Sequence, residues 1–214
     1  LHDALPIYNH EPVMPTGLQR TWPNLMTQEG VRGQEWDAWD EKGGNPPAHT
    51  VTLPFTRGLA GPMDFTPGTF KFENPRHPQT VVHTTLAKQL ALFVILYSPL
   101  QMASDIIENY EANPGPFRFL ADCPTDWDRT VYPEAEIGKY VTVARKEKGG
   151  DSWFIGSATG DDARTATVAL DFLDPGCQYL ATIYRDGPAA DHATNPTQII
   201  IEQKKVDNGT VFSI

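Results

Sequence analysis

Three carboxylates and a histidine stand near the start of the chain in a pattern that could do chemistry. Glu29 and Glu35 belong to Glu29-Gly30-Val31-Arg32-Gly33-Gln34-Glu35, with Trp36 and Trp39 directly behind, and Glu11 lies upstream beside His10. Glycines at 30 and 33 argue against a regular helix, and the separation of Glu29 from Glu35 is a poor helical spacing for side chains that must face each other. A loop leaving a strand end is the better expectation. There, carboxylates can converge on a metal ion or flank a bond to be hydrolysed, and indole faces can stack on sugars.

Other candidates are less specific. Trp22, Trp36 and Trp39 suit a core as well as a sugar platform. Asp64 in Gly61-Pro62-Met63-Asp64 falls at an expected strand end, where it could line a site or serve a structural hydrogen bond. Arg20 and Arg57 are expected to brace loops through salt bridges. His49 and His83 belong to no zinc-ligand motif, and the chain holds neither a phosphate-binding glycine loop nor a Ser-His-Asp arrangement.

The elements that must position these groups change character along the chain. Up to about Tyr132 the sequence is rich in Gly, Pro, Trp and His. Short strands are expected at Asn24–Thr27 and Gly61–Phe65, and a helix beginning at Trp36 is broken by Gly43-Gly44-Asn45-Pro46-Pro47. Val51–Leu59 reads as a second short apolar element. Thr84–Tyr97 is the clear helix: Leu86, Leu90, Phe93, Val94 and Tyr97 recur at three- and four-residue steps, and Ser98-Pro99 ends it. A further helix is expected over Leu100–Ile107. From about Glu136, short β-branched or aromatic runs (Tyr140–Arg145, Trp153–Ala158, Thr165–Leu170, Tyr179–Tyr184, Thr197–Glu202) alternate with turn signals. They predict an antiparallel β-sandwich over 135–214 with Trp153, Phe154, Leu170 and Tyr184 in its core. Asp122–Pro133 reads as the linker, and Asn208-Gly209 as a hairpin turn rather than a glycosylation site.

The 214 residues allow one large or two small domains, and 40% hydrophobic with 21% charged residues is a globular composition. A net charge of −10 argues against nucleic acid or an anionic membrane surface as partner. The apolar run Leu90–Tyr97 is too short to span a bilayer, so no membrane insertion is expected. Cys123 and Cys177 form no paired motif and are expected to be free thiols. Residues 1–7 read like the translation of a common sequencing-adaptor oligonucleotide, so native protein is expected to start near Tyr8.

Pro15-Thr16-Gly17-Leu18-Gln19-Arg20-Thr21-Trp22-Pro23-Asn24, the Glu29–Glu35 string, Asn45-Pro46-Pro47-Ala48-His49-Thr50, Leu59–Gly68 and Ser98–Ala103 together resemble the catalytic region of glycoside hydrolase family 97. That family holds calcium-dependent α-glucosidases and α-galactosidases of bacterial polysaccharide-degrading systems. The resemblance covers nearly everything after Tyr8. It implies an α/β plus all-β fold: the C-terminal part of a (β/α)8 barrel over 8–134, then the sandwich. Matched residue by residue, it implies Glu35 as general acid and Glu11 as general base. It further implies Glu29, with Glu11 and Glu35, as calcium ligands, and His10 and Trp36 as substrate contacts. Oligosaccharides or α-glycosides are the implied substrates, and the parent protein is implied to be periplasmic or secreted. Retaining members lack a carboxylate at the position of Glu11, so the expected branch is inverting and α-glucosidase-like. A retaining α-galactosidase is the alternative within the family. A non-catalytic carbohydrate-binding protein, or a structural fragment whose sandwich packs on a barrel, would need neither Glu35 nor Glu29.

Overall fold

The structure, a computed structural model, describes residues 5–213. Two short strands open it, β1 (Ile7–Asn9) and β2 (Leu25–Gln28), and they pair in parallel. Gln28 makes a further parallel bridge to Met63, to which the strand expected at Gly61–Phe65 is reduced. Three chain segments therefore run side by side in one direction, so the residues that follow them emerge at one edge. Residues 1–4 lie outside the described residues, while Ile7, inside the segment expected to be foreign, opens β1 and donates its N–H to Asn24 O at 2.7 Å.

Between these strands and the second half lie α1 (Trp36–Trp39), α2 (Pro47–Thr52) and two 3-10 turns, and then α3 (Leu86–Ile95). The Thr85 side chain caps α3 by accepting from Lys88 N, satisfying one of its free N–H groups. Apolar residues lie on nearly every side of α3, as a helix buried all round requires. Leu92 and Ile95 meet Val51, Met63 and Phe65 on one side and Val141 and Val143 on the other. Leu86 and Leu90 meet Phe70 and Tyr110.

The helix expected over Leu100–Ile107 is absent. The side chain of Asp105 competes with it: Asp105 accepts from the backbone N–H of Phe70, Lys71 and Ile106, an alternative to helical bonding. The chain turns helical only at α4 (Ile107–Glu111) and α5 (Pro114–Asp122). No helix among the described residues is long and apolar enough to cross a membrane.

The C-terminal part is an antiparallel, sandwich-like β domain. β3 (Trp127–Glu136), β4 (Tyr140–Glu147) and β5 (Trp153–Thr159) form one sheet with β4 central. β6 (Thr167–Ala169) pairs with β9 (Val211–Ser213), and β7 (Tyr179–Asp186) with β8 (Ile199–Val206). The domain begins in what reads as a linker, nearer 127 than 135. Pro133 disguised β3, but it sits at a register shift on an edge strand, where its missing N–H is tolerated. Asp207–Thr210 is a turn but not a hairpin, because β8 and β9 belong to different sheets.

The expected core also divides. Trp153 and Leu170 join a cluster with Ala144, Val168, Phe172 and Phe212. Phe154 instead meets Phe119 and Trp127, and Tyr184 meets Phe119. Trp153 and Phe154 are consecutive in a strand and must face opposite ways. The same alternation sends Val141, Val143 and Arg145 of β4 toward α3. Buried Arg145 donates to Val94 O at 2.6 Å and Ile95 O at 3.4 Å, closing the C-terminal end of that helix.

Candidate active site

His10 and Glu11 follow β1, Glu29 follows β2, and Asp64 follows the Met63 bridge. The parallel pairing thus gathers them at one edge, and the loop after Glu29 brings Glu35 back beside them. One donor atom each from His10, Glu11 and Glu35 lies within 4.8 Å of the others, and all three residues are exposed. Glu29 is buried beneath them. Its Oε2 accepts the Glu11 N–H at 2.7 Å and lies 3.1 Å from His10 Nδ1. Nδ1 of His10 thus faces both the Glu29 carboxylate and the Tyr8 hydroxyl at 3.1 Å, and Nε2 is the ring nitrogen free of these contacts.

Glu11 (φ 46°) and Thr66 (φ 56°) are the non-glycine residues with positive φ among those described, and both belong to this edge. Such conformations cost of order 1–3 kcal/mol and persist where neighbours over-determine them. Here neighbouring carboxylates do so: Glu29 holds the N–H of Glu11, and Asp64 holds the N–H and hydroxyl of Thr66 at 2.9 and 3.1 Å. Asp64 is fully buried, and burial raises its pKa above the usual carboxylate range.

The loop that carries Glu35 is fixed by a buried polar network. Gln34 Nε2 donates to Asp37 Oδ2 at 2.8 Å, and Gln89 of α3 donates to Gln34 Oε1 at 3.0 Å. Asn45 donates its N–H to Asp37 and its side-chain amide to Gly33 O. Burial raises the Asp37 pKa to about 6 against the bonds from Asn45. Gly30 has φ 47°, and a Cβ there would meet Val13 O at 3.1 Å, so the turn after Glu29 calls for glycine. Arg57 braces the same loops, but through carbonyls rather than salt bridges: buried, it donates to the oxygens of Gln28, Glu29, Gly30, Gly61 and Pro62. Arg20 is exposed in a 3-10 turn.

Trp36 is half-buried, with Nε1 bound to Asp40 and the Arg32 guanidinium 5.6 Å from its ring centre. Trp22 and Trp39 are largely exposed. His49 holds Arg32 O at 2.8 Å and belongs to the scaffold. Sequence reasoning passed over Tyr8. Its hydroxyl lies 3.1 Å from His10 Nδ1, and its pKa is raised by burial and by the negative charges of Asp64, Glu29 and Glu35. A tyrosine within a strand, two residues before a candidate histidine just past its end, is placed to share that residue's side, and that was the available signal.

The donor set fits a hard cation in its carboxylates and departs from one in the imidazole. Glu11 and Glu35 present exposed oxygens and group with His10, whereas buried Glu29 stands outside that group, with one oxygen engaged by Glu11 and His10.

Residues 126–214 match the model of a family described as glycosyl-hydrolase 97 C-terminal, oligomerisation. A retaining alpha-galactosidase of Bacteroides thetaiotaomicron is 35% identical over 184 residues, 84% of this chain and 27% of that protein. A family 97 enzyme of Pseudoalteromonas sp. in complex with acarbose superposes with a TM-score of 0.91 at 46% identity, over 97% of this chain and 32% of that one. A variant of that enzyme in complex with panose gives 0.90 at 44%, again over 97% and 32%. The chain therefore spans about a quarter to a third of the length of the relatives it matches. The likeness runs through both halves, from the carboxylate edge to the β domain, and the chain belongs to glycoside hydrolase family 97.

Proposed function

We propose that this chain is the C-terminal part of a glycoside hydrolase that cleaves α-glycosidic bonds, with the parallel segments of residues 7–66 closing a (β/α)8 barrel. The observation that carries the reading is the convergence of Glu11, His10 and Glu35 over Glu29 at one strand-end edge, where barrel enzymes build their sites. In this reading Glu35 protonates the leaving oxygen and Glu11 draws a proton from water. His10, held through Nδ1 by Glu29 and Tyr8, turns Nε2 toward a sugar hydroxyl, and Trp36 borders the sugar. Glu29 acts by holding the strained backbone of Glu11. Calcium is the proposed cation, held by Glu11, Glu29 and Glu35; when bound it would supply positive charge that keeps Glu11 and Glu29 ionised and would orient Glu35, which must still carry the proton it delivers.

The stereochemical reading is inverting and α-glucosidase-like. The resemblance that assigns Glu11 implies that retaining members lack a carboxylate at this position. The structures at 44–46% identity were seen with panose and acarbose, whereas two curated relatives, at 35% and 39% identity, are named a retaining and a probable retaining alpha-galactosidase and favour the other reading. Spacing favours the other reading too. Inverting pairs stand roughly 6.5–9.5 Å apart and retaining pairs about 5–5.5 Å, and the nearest Glu11 and Glu35 donor atoms lie within 4.8 Å. We give residue identity more weight, because both side chains are exposed and their rotamers set that distance. A retaining α-galactosidase is thus the second reading.

The test joins this chain to the upstream part of a family enzyme and follows cleavage of aryl α-glucoside and α-galactoside by proton NMR. A β-anomer released first from the glucoside, with loss of rate in chelator, is the expected result. An α-anomer released first, or exclusive α-galactoside cleavage, replaces this reading with the second.

A further inference from the structure

His83 and His192 come from opposite halves of the chain: His83 precedes α3, and His192 lies in the loop between β7 and β8. Their ring centroids lie 5.3 Å apart, with the planes at 71° to one another. Nε2 of His83 lies 2.8 Å from Gly43 O. A carbonyl only accepts, so Nε2 carries the proton and Nδ1 keeps a free lone pair. Nδ1 of both rings is buried, and neither has a hydrogen-bond partner in the protein. A buried polar nitrogen without a partner costs about 1–3 kcal/mol. Two of them on adjacent rings point to a shared ligand. The rings line an open cleft of about 460 Å³ together with Lys42, Gly43, Pro46 and Asp161.

We propose that His83 and His192 form a binding site for a zinc-class divalent cation, distinct from the carboxylate edge, with water filling the remaining positions. Two imidazoles on one tetrahedral ion at about 2.0–2.1 Å place their ring centroids roughly 5 Å apart, which is the separation found. The bond from His83 Nε2 to Gly43 O is the outer contact that commonly fixes the orientation of a ligating imidazole. Imidazole donors select a transition metal over calcium or magnesium, which prefer oxygen. The bound ion would pin the β7–β8 loop to the segment preceding α3.

Metal-stripped full-length chain, titrated calorimetrically with Zn2+ and in parallel with Ca2+, tests the site. A zinc-binding step that persists in His10→Gln, with a rise in melting temperature, is expected, with no comparable response to calcium at that site. His83→Gln and His192→Gln should each lower the zinc association constant by on the order of 100-fold, at the upper end of what outer-contact changes alone produce. His10→Gln should leave it unchanged. Co2+ gives a second readout that needs no folded variant of this pair. Intense visible bands of four-coordinate cobalt, present in wild type and in His10→Gln, support the site. Weak six-coordinate bands, no saturable binding, or zinc affinity lost with His10→Gln and kept in both other variants would overturn it, leaving a hydrated histidine pair or a metal at the carboxylate edge.

Discussion

Lys88 offers a stability experiment whose sign and size follow from its surroundings. Its ammonium is buried on α3 and donates to Pro47 O at 2.9 Å and to Thr159 O at 2.7 Å, tying the first half of the chain to the end of β5. Burial lowers its pKa from 10.5 to about 8, with Asp161 and Asp186 opposing the shift. The folded chain therefore holds this proton less tightly than the unfolded chain. Below pH 8 both states carry it, and the displacement weighs against folding by about 3 kcal/mol at ~1.4 kcal/mol per pK unit. As pH rises from 8 toward 10.5, folded Lys88 releases the proton while the unfolded chain keeps it, so stability increases. Integrated from pH 7 to 9, the gain is about 1.4 kcal/mol. Lys88→Met keeps most of the aliphatic stem and removes the titration. Urea unfolding of both proteins at pH 7 and 9 should show wild type gaining that amount relative to the variant. Burial raises the Cys123 thiol and the Tyr110 phenol to about 12, and these groups act in the opposite direction at higher pH. Both proteins share them, so the difference removes their effect. Parallel pH dependences, or a wild type that loses stability relative to Lys88→Met, would refute the argument.

In the assembled enzyme, Glu35→Gln should reduce kcat/KM by roughly 10²–10⁴-fold on glycosides with poor leaving groups and far less on an activated aryl glycoside; equal losses on both would remove Glu35 as the acid. Glu29→Ala should raise the calcium concentration needed for half-maximal activity, with added calcium restoring part of the rate; indifference to both calcium and chelator would end its proposed metal role. Gly156→Ala should cost about 1–3 kcal/mol, because the new Cβ would meet Ala91 O at 2.6 Å and the side chains of Val94 and Ile95 at 3.0 Å. Thermal melts check this, and an unchanged midpoint would mean that β5 can move off α3.

Periodicity made α3 and five of the β strands legible, because each carries a local pattern that its final environment respects. β3 was hidden by Pro133, whose acceptance depends on an edge position that no local pattern announces. The expected helix at Leu100 failed because Asp105 finds partners at Phe70 and Lys71, far away in sequence. At the site, the residue types were readable and their convergence was not. Glu11 meets Glu29 only because β1 and β2 run parallel, and Gln34 meets Gln89 across much of the first half. His83 shows the limit most clearly: alone in sequence it matches no ligand motif, and its partner arrives from the other half.

Gly156 and Arg145 bear on how such proteins can be inherited. β5 lies against the backbone of α3, and the guanidinium of Arg145 closes the last turn of that helix. A genetic crossover near residue 126, where the recognisable C-terminal family segment begins, would divide this shared interior. A foreign β domain arriving there with a bulkier residue at 156, or without the arginine at 145, would leave a helix end with unanswered carbonyls. Recombinants at that boundary should survive only between parents whose two halves have diverged together, so the sequence module and the unit of exchange are different objects.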